Sequence, residues 1–383
     1  MNPRFLPRAR SWAAAALFAP IVALAQLAQP VPPEIAARNY LLFDVNSGQM
    51  LAAKDIDAPV EQASLTKLMT GYLVFDALRA KKISLDQKLP VSVRAWKMPG
   101  SRMFIDPKMQ VPVEDLIKGM IVQSGNDACV TLAEGIAGSE ENFAQMMNRE
   151  AQRLGMTKSH FMNSTGLPDA NHYTTARDLS LLASALIRDF PEEYHKYYSM
   201  KEFRYNNITQ PNRNRLLFID PTVDGVKTGH TEAAGYCLIS SAQRDKRRLL
   251  SVVLGTASDN ARASESQKLL NWGFISYDAV TVFAKDQEIA TLRIWKGAQR
   301  ELKARLPYDL NVAVPKGYAD KVKSEFVAEP RLIAPIEIGH KLGTVKVSID
   351  DKPYGEYPVL ALEKIELGNI FIRLFDTIRL WFN

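Results

Sequence analysis

The stretch ASLTKLMT, residues 63–70, opens a helical pattern that continues to about Ala80. Apolar residues recur in it at three- and four-residue steps, which predicts a mostly buried helix. Residues three apart are neighbours on a helix, so the hydroxyl of Ser64 and the amine of Lys67 are predicted to share one face. Because a lysine in a dry pocket loses affinity for its proton, Lys67 can then act as a base toward Ser64.

Two further short strings supply more polar groups, SGN at residues 124–126 and KTG at residues 227–229. The first interrupts a helical pattern between about Val113 and Leu132, and the second follows a strand-like run. Each string alone is common in a chain of this length, and SDN at residues 258–260 even repeats the second pattern out of order. The three strings in order, each on a suitable local structure, indicate an enzyme that acylates a serine and then releases the acyl group.

Strand-like and helical segments are mixed in the first part of the chain. This mixture predicts an α/β or α+β catalytic unit, which we place at residues 26–279. Beyond Tyr277 the helical periods stop, and alternating apolar positions between proline and glycine turns predict a small all-β domain at residues 280–365. That range contains no catalytic cluster, so its predicted role is positioning or protein contact. The strands predicted in the first part are residues 40–43, 50–53, 223–226, 235–241 and 248–254.

The first 25 residues have the three parts of a secretory signal. An arginine-bearing start is followed by an apolar run at residues 12–24 and a small-x-small end at residues 23–25. We predict cleavage before Gln26 and export of the mature protein. The alternative, an uncleaved N-terminal anchor, is disfavoured by the short run and the cleavage-like site.

The chain ends in an amphipathic segment, residues 366–383. On a helical wheel most apolar residues between Ile370 and Phe382 share one side, and the polar residues share the other. The segment is too short to span a bilayer, which favours a helix lying in the membrane interface through residues 367–383. The alternative is a terminal helix docked on its own domain.

Composition narrows the classes of partner. Half of the formal charge of +6 comes from Arg4, Arg8 and Arg10 in the predicted signal, so the modest remaining excess does not indicate nucleic-acid binding. The basic run at residues 246–248 is predicted to be a solvated hairpin tip. The histidines are scattered without zinc-binding spacing, and neither a metal nor an organic cofactor is predicted. The two cysteines, Cys129 and Cys237, could form one disulfide. We favour free thiols, because a domain of this size does not need a disulfide for its stability.

In their longer context the three strings resemble the penicillin-recognising serine enzymes, whose motifs are Ser-x-x-Lys, Ser-x-Asn and Lys-Thr-Gly. The resemblance is to the D-alanyl-D-alanine carboxypeptidases, the low-molecular-mass penicillin-binding proteins of the five/six subgroup. It covers nearly the whole mature chain and implies an α+β catalytic domain of the β-lactamase/transpeptidase type, with helices flanking an antiparallel sheet. The chain departs from the family at Arg215 and Cys237, where glycine and asparagine are common. The runs that carry the resemblance are residues 63–70, 110–113, 123–129, 176–178, 212–214 and 224–231.

The resemblance implies a role for each catalytic residue. Ser64 attacks the carbonyl between the two terminal D-alanines of a peptidoglycan stem peptide, and Lys67 takes its proton. Ser124 relays a proton toward the departing amine and is held by Asn126 and Lys227. Water then frees the shortened peptide, whereas β-lactams mimic the substrate and stay attached.

The resemblance also implies a set of substrate-binding residues. Lys227, Thr228 and Arg213 would recognise the terminal carboxylate, and Gly229 is a substrate-binding residue beside them. The backbone N–H groups of Ser64 and His230 would form the oxyanion hole. The function implied is a serine-type D-alanyl-D-alanine carboxypeptidase with roles in peptidoglycan biosynthesis and cell shape, located at the periplasmic face of the inner membrane.

Two rival functions remain at this point. A β-lactamase would need fast deacylation by a dedicated acid, and the second motif reads Ser-Gly-Asn rather than Ser-Asp-Asn. A catalytically idle binder of penicillin or wall peptides would not need the intact Ser64, Lys67 and Lys227.

Overall fold

A computed structural model of the chain describes residues 29–381. The signal predicted at residues 1–25 and the last two residues of the predicted terminal segment lie outside the described residues. Within them the chain forms two compact units. One contains residues 29–282 and Leu310–Asp320, and the other contains Phe283–Asp309 and residues 321–381.

The described residues include α-helices and two short 3₁₀ helices, at Ala63–Thr66 and Ala319–Lys321. The α-helices are α1 (Lys67–Arg79), α2 (Val93–Trp96), α3 (Val113–Val122), α4 (Asn126–Ala137), α5 (Glu140–Arg153), α6 (Ala176–Asp189), α7 (Pro191–Tyr198), α8 (Leu216–Ile219), α9 (Asp259–Ser276) and α10 (Ile370–Arg379).

The strands alternate with these helices in the first unit and dominate the second. They are β1 (Asn39–Asp44), β2 (Gln49–Lys54), β3 (Val60–Glu61), β4 (Lys88–Pro90), β5 (Gln110–Pro112), β6 (Tyr173–Thr174), β7 (Glu202–Tyr205), β8 (Ile208–Pro211), β9 (Val223–Thr231), β10 (Gly235–Arg244), β11 (Arg247–Thr256), β12 (Tyr277–Phe283), β13 (Glu288–Trp295), β14 (Glu301–Arg305), β15 (Leu310–Pro315), β16 (Val322–Ala328), β17 (Leu332–Ile333), β18 (Lys341–Ile349) and β19 (Lys352–Leu360).

The first unit is built on a five-stranded antiparallel sheet with strand order β2-β1-β11-β10-β9. Side chains alternate across it because successive residues of a strand point to opposite faces. Leu249 and Val253 of β11 pack with Leu269 and Leu270 of α9 on one face. Residues of β11 between them join the larger core that α1, α3, α4 and α6 form on the other face. The predicted α+β class, with helices flanking an antiparallel sheet, is confirmed.

The basic run at residues 246–248 differs from its prediction. Only Lys246 lies in the turn, and β11 begins at Arg247. Arg247 forms an ion pair with the buried Asp44 at 2.8 Å, and Arg248 pairs with Asp224 at 2.7 Å. The prediction of a solvated tip was therefore wrong for two of the three residues, because carboxylates on other strands of the same sheet neutralise them.

The second unit is rich in strands, as predicted. A sheet of order β14-β13-β17 and a sheet of order β16-β18-β19 supply most of it. Buried apolar residues alternate along β18 at Val345, Val347 and Ile349. Within the predicted range 280–365, however, Leu310–Asp320 belongs to the first unit, where Ala313 of β15 exchanges hydrogen bonds with the side chain of Gln49.

The terminal helix α10 has no buried residue. Asn369 caps its first turn by accepting a hydrogen bond from the backbone N–H of Ile372. The carboxylate of Asp376, on the polar side of the helix, accepts from the backbone N–H of Lys296 at 2.6 Å. Within residues 29–381 no helix is both long and apolar enough to cross a membrane.

Candidate active site

Ser64 lies in the 3₁₀ turn Ala63–Thr66, and the α-helix begins only at Lys67. The prediction that Ser64 stands at the start of the buried helix was thus off by one turn, because a 3₁₀ turn precedes the α-helix. Side chains at i and i+3 eclipse each other in a 3₁₀ helix, which brings this pair closer still. The Nζ atom of Lys67 lies 2.9 Å from Oγ of Ser64. The turn enters from Ala63, whose φ of 46° is unusual for a residue with a Cβ.

The hydrogen-bond partners of Lys67 fix where its lone pair points. Besides Ser64, Nζ contacts Oδ1 of Asn126 at 2.7 Å and the carbonyl oxygen of Thr165 at 2.6 Å. Both of these oxygens can only accept, so a neutral amine donates its two N–H groups to them. Its lone pair is then left for the hydroxyl proton of Ser64, which is the arrangement a general base needs.

Burial makes the neutral amine accessible near physiological pH. Lys67 is 1% exposed, and this desolvation lowers its pKa to about 8. Arg213 lowers the pKa further by charge repulsion, while Cys129, Asp127 and Glu140 oppose the shift. Lys67 therefore combines the position and the protonation behaviour of a base.

The second motif forms the opposite wall of the site. Ser124 precedes α4 with a φ of 66° and is buried. Its Oγ accepts a hydrogen bond from Nζ of Lys227 at 3.1 Å, so this serine also faces a lysine. Asn126, the first residue of α4, donates from Nδ2 to the carbonyl of Pro99 at 2.7 Å. Its amide oxygen is thereby oriented toward Lys67, which ties the second motif to the Ser64–Lys67 pair.

The third motif lies within β9. The sequence had indicated that it follows a strand, and this prediction was wrong because the strand continues through the motif to Thr231. Residues 227–229 are buried edge positions of the sheet, paired on one side with β10 only. Gly229 lets this strand approach the nucleophile turn, because a Cβ there would lie 3.1 Å from Cγ of Leu65 and 3.2 Å from Cβ of Ala63. Sheet and turn therefore meet at the site.

Positive charge collects around Lys227. Burial lowers its pKa well below the usual range, and repulsion from Lys67, Arg213 and Arg262 acts in the same direction. Arg213 itself is exposed and donates from Nε to the carbonyl of Gln123 at 3.2 Å, next to Ser124. Among the described residues no carboxylate is hydrogen-bonded to Lys227, so the basic side chains around it favour binding of an anionic group.

Thr228 and His230 complete the predicted residues. Thr228 is buried in β9 and its carbonyl accepts from Nζ of Lys227. His230 is exposed, and its ring packs on that of Tyr236 with centroids 4.0 Å apart. No hydrogen bond from the His230 ring to either serine is among the described contacts, so the geometry offers no Ser–His pair.

Several residues that hold the site were missed by the sequence reasoning. Asn212 and Asn214 flank Arg213 and are buried, and Asn214 donates from Nδ2 to the carbonyl of Gly225 at 2.9 Å. The sequence Asn-Arg-Asn could have indicated this contact, since asparagine side chains commonly form hydrogen bonds with the backbone. The carbonyl of Thr165 carried no sequence signal, because a backbone acceptor leaves no trace in residue type.

Other candidate features resolve into structural roles. Ser258 of the out-of-order SDN string is the N-cap of α9 and accepts from the backbone N–H of Ala261. Cys129 and Cys237 are free and buried, as favoured, and burial raises the pKa of the Cys129 thiol to about 12. Among the described residues no group of three or more His, Cys, Asp and Glu side chains could hold a metal ion.

Comparison with protein families gives two matches. The family described as D-alanyl-D-alanine carboxypeptidase matches residues 26–258. The family described as penicillin-binding protein 5, C-terminal domain, matches residues 277–367. Together they cover both units of the fold.

Individual relatives agree with these families. The chain is 41% identical to the D-alanyl-D-alanine carboxypeptidase DacC of Escherichia coli K12, over 96% of this chain and 93% of the relative. It is 40% identical to the corresponding DacA of Haemophilus influenzae, over 90% and 89%. The crystal structure of penicillin binding protein 5 from Haemophilus influenzae superposes with a TM-score of 0.83 at 39% identity, covering 88% of this chain and 99% of that one. Penicillin-binding protein D2 of Listeria monocytogenes in its ampicillin-bound form superposes at 0.59 with 31% identity, over 64% and 100%.

Proposed function

The chain belongs to the D-alanyl-D-alanine carboxypeptidase family, and we propose that it removes the terminal D-alanine of peptidoglycan pentapeptide stems through an acyl-enzyme on Ser64. It is a serine-type carboxypeptidase of the penicillin-binding class. The observation that carries the assignment of residues is the convergence of two serine–lysine pairs, Ser64 with Lys67 and Ser124 with Lys227, at one site.

Acylation begins with proton transfer from Ser64 to the neutral amine of Lys67. The serine oxygen adds to the carbonyl between the two D-alanines, and the negative charge that develops is stabilised by the backbone N–H groups of Ser64 and His230. The C–N bond then breaks, and Ser124 passes a proton to the departing amine. Free D-alanine and an ester on Ser64 result.

Deacylation restores the enzyme. A water molecule adds to the ester carbonyl from the side that the amine has left, and its proton passes to the Lys67–Ser124 group. The ester bond breaks, Ser64 recovers its proton, and the shortened peptide leaves with a new carboxylate. The hydrogen bond between Nζ of Lys67 and Oγ of Ser64 supports the first proton transfer, and the contact of Ser124 with Lys227 supports its role beside the departing amine.

The direction of cleavage follows from charge. A terminal carboxylate balances the cations Lys227 and Arg213, and its binding favours the protonated form of Lys227. Thr228 and Gly229 present the strand edge along which the substrate backbone lies. An enzyme that needs a free carboxylate next to the scissile bond acts as a carboxypeptidase.

The test is release of D-alanine. Purified protein is incubated with a diacyl-L-Lys-D-Ala-D-Ala peptide, and D-alanine is measured with Ser64→Ala as the control. We expect release by the wild type and none by the variant. Absence of D-alanine from the wild type would instead favour the idle binder.

A β-lactamase is separated from this function by nitrocefin. We expect a slowly decaying adduct on the proposed enzyme, because a β-lactam fills the place from which the deacylating water attacks. Rapid turnover of nitrocefin would overturn the assignment in favour of a β-lactamase.

We also propose that the protein is exported and is held at the periplasmic face of the inner membrane by residues 367–383. The signal-like sequence of residues 1–25 supports export. The exposed apolar side of α10, combined with the contact of Asp376 on its polar side with Lys296, supports an interfacial helix over a docked one. The exposed large apolar residues of α10 and of the residues just after it are Ile370, Phe371, Leu374, Phe375, Ile378 and Trp381.

A further inference from the structure

Glu140 is a buried carboxylate that the reaction above does not use. It is the first residue of α5 and only 2% exposed. A carboxylate is expensive to bury unless it is paired and hydrogen-bonded, so its contacts need a reason. Position at a helix N-terminus offsets part of the cost, since that end of the helix favours negative charge.

The contacts of Glu140 run toward the active site. Its Oε1 accepts from the backbone N–H of Ser164 at 3.0 Å and from the Ser164 hydroxyl at 2.7 Å. Its Oε2 pairs with Arg94 at 2.7 Å, on the side away from Ser164. The carboxylate therefore clamps one residue of a loop by both of that residue's donors.

The clamped residue is followed directly by Thr165, whose carbonyl accepts the hydrogen bond from Lys67 at 2.6 Å. The carbonyl of Ser164 accepts from Oγ1 of Thr70 on α1 at 2.7 Å. Asn163 closes the loop by accepting from the backbone N–H groups of Thr165 and Gly166. The Thr165 carbonyl that accepts from Lys67 is thus held in place by hydrogen bonds to the residues before and after it.

That carbonyl decides whether Lys67 can act as a base. With the Thr165 carbonyl in place, a neutral amine has both N–H bonds occupied and its lone pair on Ser64. If the carbonyl moved away, one N–H would be free to point at Ser64 and the lone pair would be lost to the serine proton. A shift of a few tenths of an ångström in the loop suffices to weaken such a bond.

We propose that Glu140 is a positioning residue for the reaction, because it holds the 163–167 loop so that the Thr165 carbonyl orients the lone pair of Lys67 toward Ser64. The proposal rests on the proposed function, in which Lys67 is the general base. It assigns a catalytic consequence to a residue that lies outside the three motifs.

The charge of Glu140 gives the proposal a second readout. The charged and titratable groups that act on Lys67 are Asp127 and Cys129 from α4, Glu140 from α5, and the cations Arg213 and Lys227. Among them Glu140 raises the pKa of Lys67, so removing its charge lowers that pKa. The acid limb, which is the part of the pH profile where the acylation rate falls as the pH drops, must then move to lower pH. With its lowered pKa, Lys67 stays neutral down to a lower pH than in the wild type.

The experiment measures the rate of acylation by benzylpenicillin between pH 6 and 10 for four variants of the full chain. Glu140→Ala removes the clamp and the charge, Glu140→Gln keeps an acceptor for Ser164 without the charge, and Ser164→Ala removes one of the two clamp bonds but keeps the charge. Glu141→Gln is the matched control, since Glu141 is exposed and pairs with the same Arg94 without touching Ser164.

We expect Glu140→Ala to lower the plateau rate about tenfold, which is part of the roughly 10²- to 10⁴-fold contribution of a positioned general base. Glu140→Gln should keep the plateau within about twofold but shift the acid limb to lower pH, because the carboxylate charge that raises the pKa of Lys67 is lost. Ser164→Ala should lower the plateau about threefold with no shift, since it costs one hydrogen bond. Glu141→Gln should match the wild type.

The proposal is overturned if Glu140→Gln leaves the acid limb where the wild type has it and Ser164→Ala leaves the plateau unchanged. If Glu140→Ala does not fold, Glu140→Gln and Ser164→Ala still test the proposal. A lowered Tm with both plateau and limb unchanged would mean a purely structural role and would also overturn it. Failure of the proposed function would look different, because the wild type itself would then release no D-alanine from the diacyl-L-Lys-D-Ala-D-Ala peptide.

Discussion

Nζ of Lys227 donates a hydrogen bond to Oγ of Ser124 at 3.1 Å, although the two residues lie 103 positions apart in the chain. The same site holds Lys67 against Ser64 at 2.9 Å. Burial is the main reason that the pKa of each lysine is lowered, and charge repulsion from Lys67 adds to the shift of Lys227. Lys67 is thereby available as a base, and Lys227 is available to bind the terminal carboxylate of the substrate.

The pH dependence of acylation follows from Lys67. Its pKa of about 8 lies below the usual 10.5, so the neutral base is gained as the pH rises through about 8. We expect the rate of acylation by benzylpenicillin to rise with a midpoint near pH 8. Lys67→Arg should lower the rate at least about 10³-fold, since a guanidinium does not give up its proton in proteins. The exposed Lys108→Arg serves as the control. Near-normal acylation of Lys67→Arg would rule out this base.

Gly166 is predicted to be intolerant of any side chain. Its φ is 86°, and a Cβ would lie 1.7 Å from the carbonyl oxygen of Ala63, directly before the nucleophile. Gly166→Ala must therefore move either the nucleophile turn or the loop that supplies the Thr165 carbonyl. We expect acylation to fall at least about tenfold, because small misplacements at a reacting centre are costly. Gly155→Ala is the matched control, with a φ of 80° and open space around it. Equal rates for the two variants would refute the steric argument.

His172 predicts an acid-sensitive stability. Its Nδ1 accepts from the backbone N–H of Met162 and its Nε2 lies 2.7 Å from Oγ1 of Thr66, so the buried ring is neutral and donates to Thr66. Burial lowers the pKa of His172 to about 4 from 6.5. The unfolded chain therefore takes up the proton first, and stability present above pH 6.5 is lost as the pH falls toward 4.

The size of this loss is about 3 kcal/mol if the whole shift is expressed in folding. Urea denaturation between pH 7 and pH 4 measures it. We expect His172→Gln to show a shallower loss of unfolding free energy than the wild type, while the exposed His195→Gln follows the wild type. A slope unchanged by His172→Gln would show that His172 does not carry the effect.

Deleting residues 367–383 should move the protein from the membrane to the soluble periplasmic fraction. A sharper version uses point changes on α10. Phe371→Glu with Phe375→Glu places charge on the exposed apolar side and should release the protein, because each charge opposes burial in the interface. Thr377→Glu places the same charge on the polar side and should leave fractionation unchanged. Unchanged fractionation of the deletion would defeat the anchor proposal.

Sequence reasoning reached much of the fold because periodicity and motif spacing report it directly. The strands at 40–43 and 50–53 were predicted to within a few residues, since apolar runs bounded by turn residues mark strands. The helix breaking at residues 124–126 was visible as well. These features are local, and local signals survive in a single sequence.

What escaped prediction depends on contacts distant in sequence. Leu310–Pro315 alternates like any strand of a β-domain, yet it belongs to the first unit through Gln49. The ion pairs of Arg247 and Arg248 join partners that the sequence does not place together. In the site, the Thr165 carbonyl and the left-handed φ of Ser124 depend on backbone geometry that residue types do not encode.

The central claim is that Ser64 carries the acyl group, and the most direct measurement is mass spectrometry of the protein after reaction with benzylpenicillin. The adduct is mapped to a residue by proteolysis, with Ser64→Ala treated in parallel. The account predicts one penicilloyl group on the peptide that contains Ser64 and none on the variant. An adduct on Ser124 or elsewhere, or a modified Ser64→Ala protein, would contradict it.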